Sequence, residues 1–181
     1  DERKELSAKL GENIQVASPA RFERIDTVDA KVTDYRDLLA RQDVDVVYAA
    51  VRHDQHEAIY VDAISAGKDL LAEKPFGIDL SAAERIVAAI DAHPGVFVRC
   101  SSEIPFYPGA QEAIRTITSG DLGPLIEAGN AFCHSSDFDQ RKLINWKRQR
   151  EYCGAAGVMN DLGMHVVHVP FRVGWIPERV Y

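Results

Sequence analysis

The chain has 181 residues, enough for one large domain or two small ones, and its 46% apolar and 27% charged residues are ordinary for a globular protein. Its 21 basic and 28 acidic residues leave a formal charge of −7, which argues against a nucleic acid or an anionic membrane surface as the main partner. Three widely spaced cysteines (Cys100, Cys133 and Cys153) with no C-x-x-C pair indicate neither a zinc site nor a disulfide framework, and fit a reducing, cytoplasmic setting.

No stretch approaches the ~20 apolar residues of a membrane span. A charged helix is expected over 2–10, stopped by Gly11, followed by an irregular stretch over 12–31. Thr33 or Asp34 can cap a short helix over 35–41 with Leu38 and Leu39 inward. The nearly continuous apolar run 45–51 reads as a strand buried on both faces. A helix over 55–66 ends at Gly67, and 69–72 is a second brief strand. Ser81-Ala82-Ala83-Glu84 has the form of a capping box opening a helix to about residue 92, after which Pro94-Gly95 turns the chain into a strand over 96–100. Strands alternating with helices of this length mean βαβ units and a parallel, doubly wound sheet.

The pattern changes after residue 102. Pro105 and Pro108 punctuate a loop, a helix is expected over 109–119, and 125–134 reads as one longer strand. Residues 135–153 are polar around Trp146, and Lys147-Arg148-Gln149-Arg150 reads as a solvated or substrate-loop segment rather than a nucleic-acid site. A last helix over 159–173 is interrupted by Pro170. The expected fold class is therefore α/β: a partial Rossmann domain over 1–102, then a partial α+β substrate domain over 103–181.

Three motifs carry chemistry. Glu73-Lys74-Pro75 lies at a strand's carboxyl end, where open α/β sheets bind ligands, so Lys74 is a candidate proton donor or acceptor; taken alone, the tripeptide reads equally as a surface loop. Ala50-Val51-Arg52-His53-Asp54-Gln55-His56 joins a strand to a helix, and its backbone N–H groups can face a cofactor, although a histidine in a helix's first turn is commonly a packing residue. Asp161 and His165, four apart, share one face of a helix behind the small residues 154–157. A carboxylate and an imidazole so placed can hold a polyol and shuttle its proton, or can be purely structural. His168 lies three residues beyond His165, but no third ligand accompanies them, so no metal site is expected.

Taken together, these motifs resemble the Gfo/Idh/MocA family of oxidoreductases, named for glucose–fructose oxidoreductase and inositol dehydrogenase. The resemblance runs through nearly the whole chain and is strongest over Ala66-Gly67-Lys68-Asp69-Leu70-Leu71-Ala72-Glu73-Lys74-Pro75 and Asp161-Leu162-Gly163-Met164-His165. It implies a Rossmann domain binding NAD or NADP near Ala50, Val51, Arg52, His53, His56, Glu73, Lys74 and Pro75. It implies that Lys74 and His165 serve proton transfer and hydroxyl binding while Asp161 positions a sugar, cyclitol or other polyol. It also implies a homo-oligomer at full length. An NAD-dependent glycosidase and a non-catalytic sugar-binding relative share the same pattern. Three departures stand out: no G-x-G-x-x-G occurs in the chain, Arg52-His53 replaces the family's frequent Pro-Asn, and Ala155-Ala156 replaces frequent glycines. The phosphate-binding turn is expected before Asp1, and the substrate sheet is expected to continue past Tyr181.

Overall fold

The computed structural model describes residues 31–133, 135, 141 and 143–181, so the helix expected over 2–10 lies outside the described residues. The chain divides into two compact units, one ending at Ser101 and the other running Ser102–Tyr181.

The first unit begins with α1, Tyr35–Leu39, capped by Asp34, whose carboxylate accepts from the Arg36 amide at 2.9 Å. Then follow β1 Val46–Ala49, α2 His56–Ser65, β2 Asp69–Glu73, α3 Leu80–Ala92 and β3 Val98–Ser101. The strands pair in the order β1-β2-β3, all parallel, with Val46 beside Asp69, Ala49 beside Ala72 and Leu70 beside Val98. Each parallel pair is bridged by a crossover helix, as parallel pairing demands. Leu38, Val44, Val47, Ala49, Tyr60, Ala63, Ile64, Leu70, Ala72 and Ile86 make one continuous core.

Two sequence expectations need correction here. The strand expected to be buried on both faces is covered on one only: Val47 and Ala49 are buried, whereas Val46 and Tyr48 are 41% and 52% exposed. Among the described residues, α2 and α3 supply side chains to the covered face alone, so the apolar run meets solvent on the other. The helix expected to open with a Ser81 cap begins at Leu80 instead. Asp79 is its cap, with the carboxylate accepting from the Ala82 amide at 2.8 Å. A carboxylate is the stronger acceptor and also meets the positive end of the helix dipole. Ser81 is left to accept from Arg85 Nη1 at 3.0 Å.

The second unit opens with a tight turn at Ile104–Phe106 and α4, Pro108–Ser119, which stops at Gly120 in a left-handed conformation (φ 81°). A short helix α5, Arg150–Cys153, follows. A wide helical turn, Met159–Gly163, then runs into α6, Met164–Arg172, where Pro170 lies inside the helix. The strand expected over 125–134 does not form across 125–133, and Leu125 and Ile126 are 54% and 98% exposed. A strand exists only when a neighbour completes its ladder. Among the described residues of this unit there is none. Among the described residues, no helix is long and apolar enough to cross a membrane.

The core makes a direct stability prediction. Ile86 is fully buried against the sheet while its neighbour Val87 is 46% exposed. Ile86→Ala should destabilise the protein by about 2–5 kcal/mol in denaturant unfolding, and Val87→Ala should stay within about 0.5 kcal/mol of the parent. Equal effects would contradict the packing described.

Candidate active site

Parallel register places Ala49 of β1 beside Ala72 of β2, so the loops that leave both strands emerge at one sheet edge. Ala50, Val51 and Arg52 come from the first loop, and Glu73, Lys74 and Pro75 from the second. Ala50 is exposed, while Val51 and Arg52 are half-buried. Arg52 donates to both carboxylate oxygens of Asp54 through Nε and Nη2, at 3.1 and 2.9 Å. His53 and His56 are both buried, with ring centroids 5.3 Å apart.

His56 points neither ring nitrogen at solvent. Nδ1 lies 2.8 Å from the Pro75 carbonyl and Nε2 lies 3.1 Å from the Val51 carbonyl. Burial holds the imidazole below its ordinary pKa, against the opposing pull of those two carbonyls and of the Glu73 and Asp54 charges. One helical turn later, Tyr60 stacks on His56 at 4.9 Å and its hydroxyl donates to the Glu73 carbonyl at 2.8 Å.

Glu73 is engaged on both sides. The Tyr48 hydroxyl donates to its Oε1 at 2.6 Å and the Lys74 amide donates to its Oε2 at 3.2 Å. Burial, helped by the Glu73 charge, pushes the Cys100 thiol up to about 11, partly offset by the Lys74 charge. The Lys74–Pro75 peptide is cis. Two residues on, Gly77 has φ 103°, and a Cβ there would lie 2.8 Å from the Ala83 backbone nitrogen. Only glycine lets this loop pass so close to α3.

In the second unit, Asp161 is 2% exposed, and two cations reach it: Lys147 Nζ at 3.3 Å from Oδ1 and Arg148 Nη1 at 3.5 Å from Oδ2. His165 is 8% exposed and lies 4.9 Å from the Phe132 ring and 6.4 Å from that of His168. His168 Nε2 and Ser102 Oγ share a hydrogen bond at 2.6 Å, and burial with the nearby Arg172 charge holds this imidazole below its ordinary pKa. A cavity of 190 Å³ opens beside Lys147, Arg148, Arg150, Cys153 and the small residues Gly154, Ala155 and Gly157.

Each unit therefore gathers its own candidate residues. Ala50, Val51, Arg52, His53, His56, Glu73, Lys74 and Pro75 surround one sheet edge, and Asp161 and His165 both turn inward from the Met159–Gly163 turn and α6. Sequence reasoning missed the two cations on Asp161, having left Lys147 and Arg148 to a solvated or substrate loop. It also missed Tyr48 and Tyr60, the hydroxyl donors to Glu73. A tyrosine inside an otherwise aliphatic strand, and another one turn beyond a helix's first histidine, were the available signals.

Residues 7–99 match the model of an oxidoreductase family with an NAD-binding Rossmann fold. The chain is 30% identical over 149 residues, 81% of its length, to trans-1,2-dihydrobenzene-1,2-diol dehydrogenase of Macaca fascicularis, of which this covers 42%. It is 37% identical over 100 residues to inositol 2-dehydrogenase of Burkholderia multivorans, covering 54% of this chain and 30% of that one. Its fold is similar to that of a levoglucosan dehydrogenase solved with NADH and levoglucosan, at a TM-score of 0.71 and 21% identity over 79% of this chain and 38% of the other. The chain thus spans less than half the length of these relatives. The alternating βαβ units, the Glu73-Lys74-Pro75 strand end and these matches together make the chain a member of the Gfo/Idh/MocA family of NAD-binding Rossmann-fold oxidoreductases.

Proposed function

We propose that the protein to which this chain belongs reversibly oxidises a secondary alcohol of a polyol, sugar or cyclitol with NAD or NADP. The observation that carries this reading is the sheet edge at Lys74: a lysine flanked by two held residues, Glu73 and Pro75, at the carboxyl end of a buried parallel strand. The edge suits a nicotinamide dinucleotide. Exposed Ala50 carries a side chain of one methyl, and half-buried Val51 and Arg52 offer apolar and cationic surface beside it. The bound nicotinamide supplies hydride acceptance.

The chain's own residues supply the rest. Lys74 accepts the hydroxyl proton at Nζ as the alcohol becomes a carbonyl, and returns it in the reverse direction. Asp161, held by Lys147 and Arg148, accepts a hydrogen bond from a substrate hydroxyl, and His165 binds a second hydroxyl or relays the proton. The diol and inositol specificities in the names of the two curated relatives support a polyol as the substrate class.

Two variants of the full-length enzyme test the assignment, with nicotinamide reduction followed against a panel of diols, inositols and sugars. Lys74→Ala should lower kcat by roughly 10²-fold or more, the usual scale for a lost acid–base group. Asp161→Asn keeps the shape and removes the charge, and should lower kcat/KM by roughly 10-fold or more through weaker hydroxyl binding. Parent-like kinetics in Lys74→Ala would overturn the proton-transfer role, and in Asp161→Asn the positioning role.

A further inference from the structure

β2 ends at Glu73, level with Ser101 of β3, and Pro75 has no N–H to donate. The α2 helix adds two side-chain contacts, one on either side of Lys74. Tyr60 donates to the Glu73 carbonyl at 2.8 Å, and His56 meets the Pro75 carbonyl at 2.8 Å. Both side chains are fully buried and stacked on each other at 4.9 Å with a 24° interplanar angle, so neither can swing away without opening the core. Lys74 is thus held by its two neighbours, one on each side. The opposite nitrogen of His56 meets the Val51 carbonyl at 3.1 Å, in the loop that leaves β1.

We propose that His56 is a positioning residue for the reaction, an imidazole clasp that donates to the Pro75 carbonyl and so holds the backbone turn from which the Lys74 side chain extends. This rests on the proton-transfer role given to Lys74 above. It also moves His56 out of the set that touches the cofactor, because the ring is fully buried and directed at two main-chain carbonyls. A neutral imidazole donates through one nitrogen only. The shorter contact assigns that hydrogen to Nδ1, toward Pro75, so the hydrogen bond lies on the Lys74 side of the ring and the Val51 carbonyl is a packing neighbour of Nε2. Glycine at position 77, whose amide donates to the same Pro75 carbonyl at 2.9 Å, completes the turn.

The clasp makes a graded demand on position 56 that mere filling of space does not. Asparagine sets its amide nitrogen close to the place of Nδ1 and keeps the donor to Pro75. Glutamine sets its amide nearer the place of Nε2 and loses it. In full-length enzyme without cofactor, backbone amide exchange at Lys74, Phe76 and Gly77 should quicken roughly 10-fold or more in His56→Gln and His56→Ala, and stay near the parent rate in His56→Asn. Amides of Val47 and Leu70, inside the sheet, report that the fold is intact in the two amide variants. With cofactor, kcat should fall roughly 10-fold or more in His56→Gln while the polyol KM changes little, and His56→Asn should recover most of it. Equal exchange in the asparagine and glutamine variants, or a loss confined to KM, would overturn the clasp. Parent-like kcat in Lys74→Ala would remove the catalytic reading of Lys74 while leaving the exchange result to decide the clasp by itself.

Discussion

Parallel pairing of β1 with β2 is the constraint on which the first unit depends. It sets Ala49 level with Ala72, so that two loops more than 20 residues apart in sequence leave the sheet side by side. Parallel strands cannot be joined by a tight turn, and α2 is the crossover that the geometry requires. That helix then returns its first two turns to the same edge, where His56 and Tyr60 meet main-chain carbonyls of the β2 loop. One element serves both as connector and as support for the site. Its buried face is where packing and positioning cannot be separated.

Much of this was legible in the sequence because the signals were local. Hydrophobic runs separated by polar helices set the βαβ order, Gly67 marked a helix end, and Glu73-Lys74-Pro75 marked a strand end. The errors came where two local signals competed or where a partner decided. Asp79 and Ser81 are both good caps, and only the geometry at Asp79 shows which one receives the Ala82 amide. The 125–134 run has strand character, but strand formation is a property of a pair, which a single segment does not encode. The double burial expected of β1 failed for the same reason, since covering a second face takes another layer.

The candidate site was less legible than the fold because its supports are main-chain atoms. Lys74, Asp161 and His165 announce themselves as residue types at particular spacings. The carbonyls of Val51, Glu73 and Pro75 have no sequence signature, and a histidine that serves them looks like any helix-initial histidine. The cations on Asp161 were hidden differently: Lys147 and Arg148 sit in a charged run that looks solvated until the fold brings a buried carboxylate to them.

Asp161 is a carboxylate buried against two cations. A carboxylate 2% exposed has lost nearly all its hydration, and contacts of 3.3 and 3.5 Å are longer than the roughly 2.7–2.9 Å of a strong charge-assisted hydrogen bond. Ion pairs of this kind seldom stabilise a fold better than apolar side chains of similar volume would. Stability alone is therefore a weak reason for a charge at this position. The role proposed for Asp161 supplies another reason: a carboxylate fixed on a helical turn can accept hydrogen bonds from a hydroxyl without having to reorganise. His56 is a buried polar ring directed at main-chain carbonyls rather than at side-chain cations. The two buried polar groups differ in what surrounds them. That difference is the physical ground for proposing one as a substrate ligand and the other as a support of the Lys74 turn.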